Sequence, residues 1–329
     1  MDIVRWGIIG CGDVTEVKSG PALQQANGSV LAAVMRRSRE KAADYARRHG
    51  VPRFYDRASD LVADPGVDAV YVATPPSSHC SMALLAAAAG KPCLVEKPMA
   101  MNHAECQRML DAFRAASLPL FVAYYRRALQ RYVRVRELVQ EKAIGMPRSV
   151  HVVHTERLAT REQARAWRFD PSVAGAGLFF DLGSHALDLL DFFFGPIASA
   201  SGCAFNTGGH YDAEDVTGAC FGFEKGLAGT GIWNFNAEEY DDGIIIRGTL
   251  GTMWVPVFAD EDVELTRKGT TERLAFRNPP HVHLPLVQGI VDELLGRGVR
   301  CPSTGVSAAR TSWVMDCCVE SYYSPRPAA

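Results

Sequence analysis

Apolar positions in the first part of the chain fall into short runs rich in β-branched residues, separated by stretches with helical spacing. The runs are 3-IVRWGIIG-10, 29-SVLAAVMR-36, 68-DAVYVAT-74, 92-PCLVEK-97 and 119-PLFVAY-124. Each is apolar enough for a strand buried on both faces. Helical patterns occupy about 14 to 26, 38 to 49, 57 to 63, 78 to 89 and 103 to 117, and Gly28, Gly50 and Gly90 close three of the stretches as C-caps would. Such alternation predicts a doubly wound α/β domain with a parallel sheet over 1–123.

Beyond residue 124 strand-like runs follow one another directly, near 148 to 155, 198 to 206, 215 to 224, 227 to 235, 243 to 249, 252 to 257, 262 to 267 and 271 to 276. Helices are expected at 129 to 142, 183 to 194, 283 to 295 and 305 to 319. This grammar predicts a C-terminal α+β domain over 124–329 with a large, mostly antiparallel sheet. The stretch 324-SPRPAA-329 reads as a loose tail.

A length of 329 residues exceeds what one hydrophobic core usually supports, in keeping with two domains. With 47% hydrophobic residues, 22% charged residues and a formal net charge of -2, the chain has no electrostatic footprint for nucleic acid or an anionic membrane, and neither partner is expected. No run approaches the roughly 20 apolar residues of a membrane span. The nine cysteines are scattered without a CxxC or paired zinc spacing, so reduced thiols, no metal site and a cytoplasmic location are expected. The start of the chain, which enters a strand pattern without a basic or long apolar leader, points the same way.

The first candidate chemistry lies where the first strand runs into Gly10-Cys11-Gly12-Asp13-Val14-Thr15. Gly10 permits a tight turn, Gly12 lets a pyrophosphate approach the backbone, and the following helix faces the anion with its amino end. Thr15 stands where the dinucleotide fingerprint has Gly or Ala. The second strand ends in Met35-Arg36-Arg37-Ser38, with no carboxylate before Glu40. Two guanidiniums and a hydroxyl suit a ribose 2'-phosphate, which predicts NADP(H) in preference to NAD(H). Thr74 ends the third run, and Thr74, Pro75 and His79 are further candidates for cofactor binding; the prolines turn the chain there, and His79 taken by itself reads as structural.

The stretch 94-LVEKPMA-100 places Glu96, Lys97 and Pro98 at a strand end. Burial penalises an ammonium, so Lys97 either snorkels to solvent or serves chemistry. Alternation along the strand turns Glu96 and Lys97 to opposite sides. Asp181 and His185 are four residues apart on an expected helix and share a face beside the apolar stripe Leu182, Ala186, Leu189, Leu190 and Phe193. The bland alternative makes Asp181 an N-cap and His185 a half-buried helix histidine.

These motifs, in the order GxG, 74-TPPSSH-79, 96-EKP-98, 123-AYYRR-127 and 175-GAGLFFDLGSHALDLL-190, resemble the Gfo/Idh/MocA family of NAD(P)-dependent oxidoreductases from about residue 3 to about 320. The resemblance implies a Rossmann domain and a second domain whose open sheet often serves oligomer contacts, giving a homodimer or homotetramer. It also implies sugar, sugar-derivative or polyol substrates. By the same token Lys97 matches the active-site lysine of EKP, with Glu96 beside the cofactor, and Asp181 and His185 match its D-x-x-x-H pair. Trp167 and Arg168 match a pair that in some members lies near the cofactor, and Tyr124 and Arg126 a cleft-lining segment for substrate. Thr15, and Ala176 within the GAG, depart from the family pattern.

Hydride transfer at a carbinol or carbonyl carbon requires the hydroxyl proton to move at nearly the same time. His185 is the expected proton donor or acceptor, Lys97 the stabiliser of developing negative charge, and Asp181 a ligand for a substrate hydroxyl or a tuner of the imidazole. His281 and His283 read as turn and cap residues rather than a metal pair, His151 and His154 fall on opposite strand faces, and His210 is a candidate for the substrate cleft. Two other functions fit the same fold: a regulator that binds the cofactor without turnover, and a glycosidase that uses transient hydride transfer.

Overall fold

The computed structural model describes residues 2–324, so the expected loose tail lies, from residue 325 onward, outside the described residues. Two compact units emerge, one formed by the chain through Leu129 together with Asn278–Ala309, the other by Gln130–Arg277 and the chain from Arg310 onward.

The first unit contains a six-stranded sheet of β1 (Val4–Ile9), β2 (Ser29–Met35), β3 (Arg53–Tyr55), β4 (Ala69–Val72), β5 (Cys93–Val95) and β6 (Leu120–Val122). The spatial order is β3-β2-β1-β4-β5-β6 and every pairing is parallel. Five of the six strands follow the expected runs. The sixth, β3, is three half-buried residues, Arg-Phe-Tyr, on the sheet edge, too short and too polar to give an apolar run.

Side chains alternate across the sheet into two apolar layers. Trp6, Ile8, Tyr71, Leu94 and Phe121 face one side; Ile9, Val70, Val72, Val95 and Val122 face the other. The first layer is completed by Leu286, Val287, Ile290 and Val291 of the helix Leu284–Leu294. Burying each of these side chains contributes about 1.5–3 kcal/mol, and this explains why 278–309 returns to the first unit. Ser303 adds a hydrogen bond from its hydroxyl to the Val122 carbonyl at 2.7 Å. The division therefore differs from the expected single cut at 123/124, because the order of strand and helix patterns carries no record of a helix that docks backward.

The helix expected over 14 to 26 is two helices, Asp13–Val17 and Ser19–Gln25, separated at Lys18. Pro21 has no N–H to continue the ladder, and a Cβ at Gly20 would stand 2.2 Å from the Thr15 carbonyl oxygen, so the chain must step aside there.

The second unit is built on eight strands, β7 (Pro147–Thr155), β8 (Ile197–Phe205), β9 (Val216–Phe223), β10 (Ala228–Asn234), β11 (Asp241–Gly248), β12 (Gly251–Val255), β13 (Val263–Arg267) and β14 (Thr270–Leu274). Their order is β14-β13-β12-β11-β7-β10-β9-β8. Only β7 with β10 is parallel, so the expected mostly antiparallel sheet is present. On β7 the alternation turns Val150, Val152 and His154 inward. His151, on the other face, bonds the Thr230 hydroxyl at 2.8 Å.

Every residue of the helix Ser184–Phe194 is buried, including the three consecutive phenylalanines Phe192 to Phe194. One sequence expectation is corrected here: Pro171–Phe194 is long and apolar enough by composition to cross a membrane. It is 78% buried within the fold over its most apolar window, as a core segment should be. All nine cysteines are free.

Candidate active site

At the end of β1, Gly10 has φ +92°, and a Cβ there would stand 2.7 Å from Thr74 Cγ2 and 3.0 Å from the Ala73 carbonyl carbon. Conformation and space both demand glycine. The amides of Gly10 and Cys11 donate to the Met35 carbonyl at 2.9 and 3.2 Å, tying the tip of β1 to that of β2. Gly12 is different, since an added Cβ would meet only the Gly10 oxygen, at 3.9 Å. The space over this turn, where Asp13 and Val14 open the next helix, is thus open to a group that approaches the backbone, as a dinucleotide pyrophosphate does.

Thr15 is fully buried, donates from Oγ1 to the Gly12 carbonyl at 2.7 Å and accepts the Tyr45 hydroxyl on its own carbonyl at 2.8 Å. The residue that departs from the fingerprint closes the turn from beneath. Arg36 is half-buried and donates to the Cys11 carbonyl at 3.3 Å, next to the glycine turn. Arg37 and Ser38 are exposed, and Ser38 caps the helix Arg39–His49 by accepting the Lys41 amide.

The tips of β4 and β5 lie next in the sheet. The Ser78 hydroxyl donates to Thr74 Oγ1 at 2.8 Å, in the turn that contains Pro75. His79 has no exposed surface; its Nδ1 lies 2.9 Å from the Pro98 carbonyl and its Nε2 2.7 Å from that of Thr74. Burial lowers the pKa of this imidazole against the pull of the two carbonyls, so one N–H bond is made at a time. His79 therefore acts on the two turns through their backbone, as its structural reading holds, and presents no surface to a ligand.

Glu96 is 7% exposed and turns into the layer that contains Tyr71. Its Oε1 accepts the Tyr71 hydroxyl at 2.5 Å and lies 3.3 Å from His283 Nε2, while Oε2 accepts the Lys97 amide at 3.1 Å. Burial pushes this carboxyl up, but contact with His283 and Tyr71 and the charge of Lys97 outweigh it, holding it down at about 2. Lys97, joined to Pro98 by a cis peptide, is half-buried at the carboxyl end of the sheet. Tyr124 is fully buried in the other apolar layer. Arg126 is 6% exposed, with its guanidinium 5.0 Å from the Tyr125 ring centre.

In the second unit the helix expected to carry both Asp181 and His185 is split. Asp181 lies in a π-turn, Phe179–Gly183, and His185 in the α-helix Ser184–Phe194. Such turns recur at functional positions. Gly183 is required, since a Cβ there would meet the Phe179 ring at 2.5 Å. His185 is 4% exposed, with the Phe258 ring edge-on at 5.7 Å, whereas Asp181 is half-buried. Trp167 and Arg168 are exposed on a short turn, the guanidinium 5.8 Å from the indole. His210 lines an open polar groove of about 470 Å³ with Arg161, Asn206, Tyr211 and Tyr322.

Upstream of Asp181, the Gly177 amide donates to both oxygens of Glu214 at 3.0 and 2.9 Å, and the Tyr323 hydroxyl donates to one of them. Burial raises the Glu214 carboxyl to about 7. Sequence reading missed the roles of Tyr71, Glu214 and Phe258 and the side-chain role of His283. Only His283 had a usable signal, a histidine held just before an apolar helix. Among the described residues no group of three acidic, histidine or cysteine side chains is arranged to hold a metal ion.

Residues 4–124 match the oxidoreductase family with an NAD-binding Rossmann fold, and residues 132–254 the GFO/IDH/MocA C-terminal domain. The chain is 36% identical over 318 residues to Oxidoreductase P35 of Formosa agariphila, covering 95% of this chain and 97% of that one. It is 30% identical over 251 residues to 1,5-anhydro-D-fructose reductase of Ensifer adhaerens, covering 76% and 74%. The fold also matches a levoglucosan dehydrogenase in complex with NADH and levoglucosan, at a TM-score of 0.84 and 21% identity over 97% of this chain and 96% of that one. With the glycine turn, the EKP strand end and the D-x-x-x-H segment in place, this chain belongs to the Gfo/Idh/MocA family and is an NAD(P)-dependent oxidoreductase.

Proposed function

We propose that the protein transfers a hydride between NADP(H), in preference to NAD(H), and a carbonyl or hydroxyl carbon of a sugar, anhydro-sugar or polyol. The observation that carries this reading is the open turn at Gly12 on the same sheet edge as Lys97, with β4 between their strands. Gly10, Gly12, Asp13 and Val14 would hold the dinucleotide pyrophosphate, and Arg36, Arg37 and Ser38 a 2'-phosphate. When bound, the nicotinamide supplies or accepts the hydride.

The residues of the chain manage the oxygen. Lys97 donates a hydrogen bond to it and stabilises negative charge as the carbonyl forms an alkoxide. His185 gives that oxygen its proton in reduction and takes it in oxidation. Asp181 accepts a substrate hydroxyl or orients the imidazole. Glu96 fixes the Lys97 backbone, and Trp167, Arg168 and Arg126 bound the cofactor and substrate positions. Tyr124, with no exposed surface, supports this segment from within the core. The names of relatives, an anhydro-fructose reductase among them, support the substrate class.

A homodimer or homotetramer through the outer face of the second sheet, in the cytoplasm, completes the proposal. Phe205, 49% exposed, and the exposed Cys203, Cys220 and Thr230 give the β8–β10 part of that face a small, uncharged surface suited to a second copy. The deciding experiment follows nicotinamide absorbance with NADPH or NADH against ketoses, anhydro-sugars and aldehydes, and with NADP or NAD against polyols. Turnover with a higher kcat/KM for the phosphorylated cofactor is expected. A preference for NADH, or equal efficiency with both, overturns the cofactor assignment; no turnover across the panel overturns the substrate class.

A further inference from the structure

The Phe258 ring that meets His185 is carried by the loop 256–260, between β12 and β13. Side chains of the same unit fasten this loop. The Tyr132 hydroxyl points at the carbonyls of Val257 and Pro256, at 2.8 and 3.2 Å, and Arg131 donates to the Ala259 carbonyl at 3.0 Å. Asp242 contributes more, because its Oδ2 accepts the amides of Val257, Phe258 and Ala259 at 3.0, 2.5 and 2.9 Å. Three successive backbone donors on one oxygen call for an ionised carboxylate.

The other oxygen of Asp242 lies 3.3 Å from Nδ1 of His154, the residue directly opposite it on β7. His154 is 2% exposed, and its Nε2 lies 3.1 Å from Glu156 Oε1. The rings of Phe235, Tyr240 and Phe258 surround it at 5.6, 6.0 and 5.1 Å. Phe258 thus touches two imidazoles, His154 and His185. Two acceptors on one ring favour its doubly protonated form: burial opposes the charge, but Asp242 and Glu156 raise the His154 pKa above the ordinary value. Burial likewise pushes the Asp242 carboxyl up, while His154 and the loop amides bring it below the usual range.

We propose that His154 is a positioning residue for His185: it holds the Asp242 carboxylate, which gathers the backbone of 257–259 and so sets the Phe258 ring against the His185 imidazole. The inference rests on the reading of His185 as the proton-transfer group, and it adds a support that none of the sequence motifs contains. A merely structural His154 would affect stability without altering the behaviour of His185.

The test uses the full chain and two variants. His154→Leu removes the ring donor, whereas His154→Asn keeps an N–H near the Nδ1 position. The His185 imidazole is titrated by NMR, its signal identified by its loss in His185→Asn, and kcat and KM are measured alongside. In His154→Leu the His185 midpoint is expected to move by about half a pH unit or more, with kcat down about tenfold and KM within about threefold. His154→Asn is expected to restore both to within about twofold. A wild-type His185 midpoint and kcat in His154→Leu overturns the inference, as does failure of His154→Asn to restore them. If His154→Leu does not fold, Phe258→Leu, which leaves the His154 and Asp242 pair in place, must displace the His185 midpoint; an unmoved midpoint overturns the inference. A coupled His185 midpoint in a protein without turnover instead removes the proposed chemistry and leaves the positioning role standing.

Discussion

Each unit pairs a candidate functional segment with a buried glutamate, and the two carboxyls behave in opposite ways. Glu96 grips the Lys97 amide and is held at about 2, while Glu214 grips the Gly177 amide, upstream of Asp181, and is pushed up to about 7. Burial raises both and is the largest influence on each. The difference lies in what opposes it. Glu96 has an imidazole, a phenol and a nearby ammonium, whereas Glu214 has a phenol and a backbone amide, with Asp215 adding to the upward push. The phenol and the single backbone amide on Glu214 do not offset its burial, whereas the imidazole, phenol and nearby ammonium around Glu96 more than offset the burial there.

The comparison is sharpened most by the pH dependence of stability. A carboxyl raised on folding retains its proton in the native state after the unfolded chain has lost its own, so stability falls as pH rises between the two values. For Glu214 this window runs from the model-peptide value of 4.5 to about 7. The loss there is on the order of 3 kcal/mol, at about 1.4 kcal/mol per pH unit. Denaturant unfolding of Glu214→Gln is expected to flatten that slope; an unchanged slope means Glu214 titrates normally.

Glu96 has the reverse sign. Its lowered value supplies stability that is present above 4.5 and lost as pH falls toward about 2. Glu96→Gln is expected to cost about 2 kcal/mol at neutral pH, because the ionised acceptor of Tyr71 and His283 is gone. A stabilised Glu96→Gln would make the two glutamates alike and end the contrast. The smallest effect on stability belongs to Gly12→Val, whose Cβ would meet only the Gly10 oxygen at 3.9 Å, yet cofactor affinity is expected to fall about tenfold or more, measured by fluorescence titration. Wild-type affinity in that variant means the cofactor does not approach this turn.

Much of this architecture was legible in the residues. The runs 29–36, 68–74 and 92–97 predicted the strands Ser29–Met35, Ala69–Val72 and Cys93–Val95 because both faces of the sheet are buried, and strict alternation separated His151 from His154. The edge strand Arg53–Tyr55 was hidden because its half-buried residues need no apolar pattern. The π-turn at Phe179–Gly183 was hidden for a different reason: its apolar residues fit an α-helical stripe equally well, and the close packing of Gly183 on Phe179 is a tertiary fact. Long-range partners were the least visible. Glu96 meets Tyr71 and His283, 25 and 187 residues away, and Asp242 meets His154 88 residues away. Sequence spacing can nominate Lys97 and His185, but it cannot name what holds them.

The most direct measurement of the central claim is the single-turnover rate of hydride transfer, with saturating cofactor and the substrate found by the screen, in Lys97→Met, His185→Asn and the double variant. Each single change is expected to slow transfer by about 100-fold or more, and the double variant by far less than the product of the two, since the proposed mechanism has both side chains serving one oxygen. Wild-type transfer in either single variant, or fully multiplicative losses in the double one, would contradict the account.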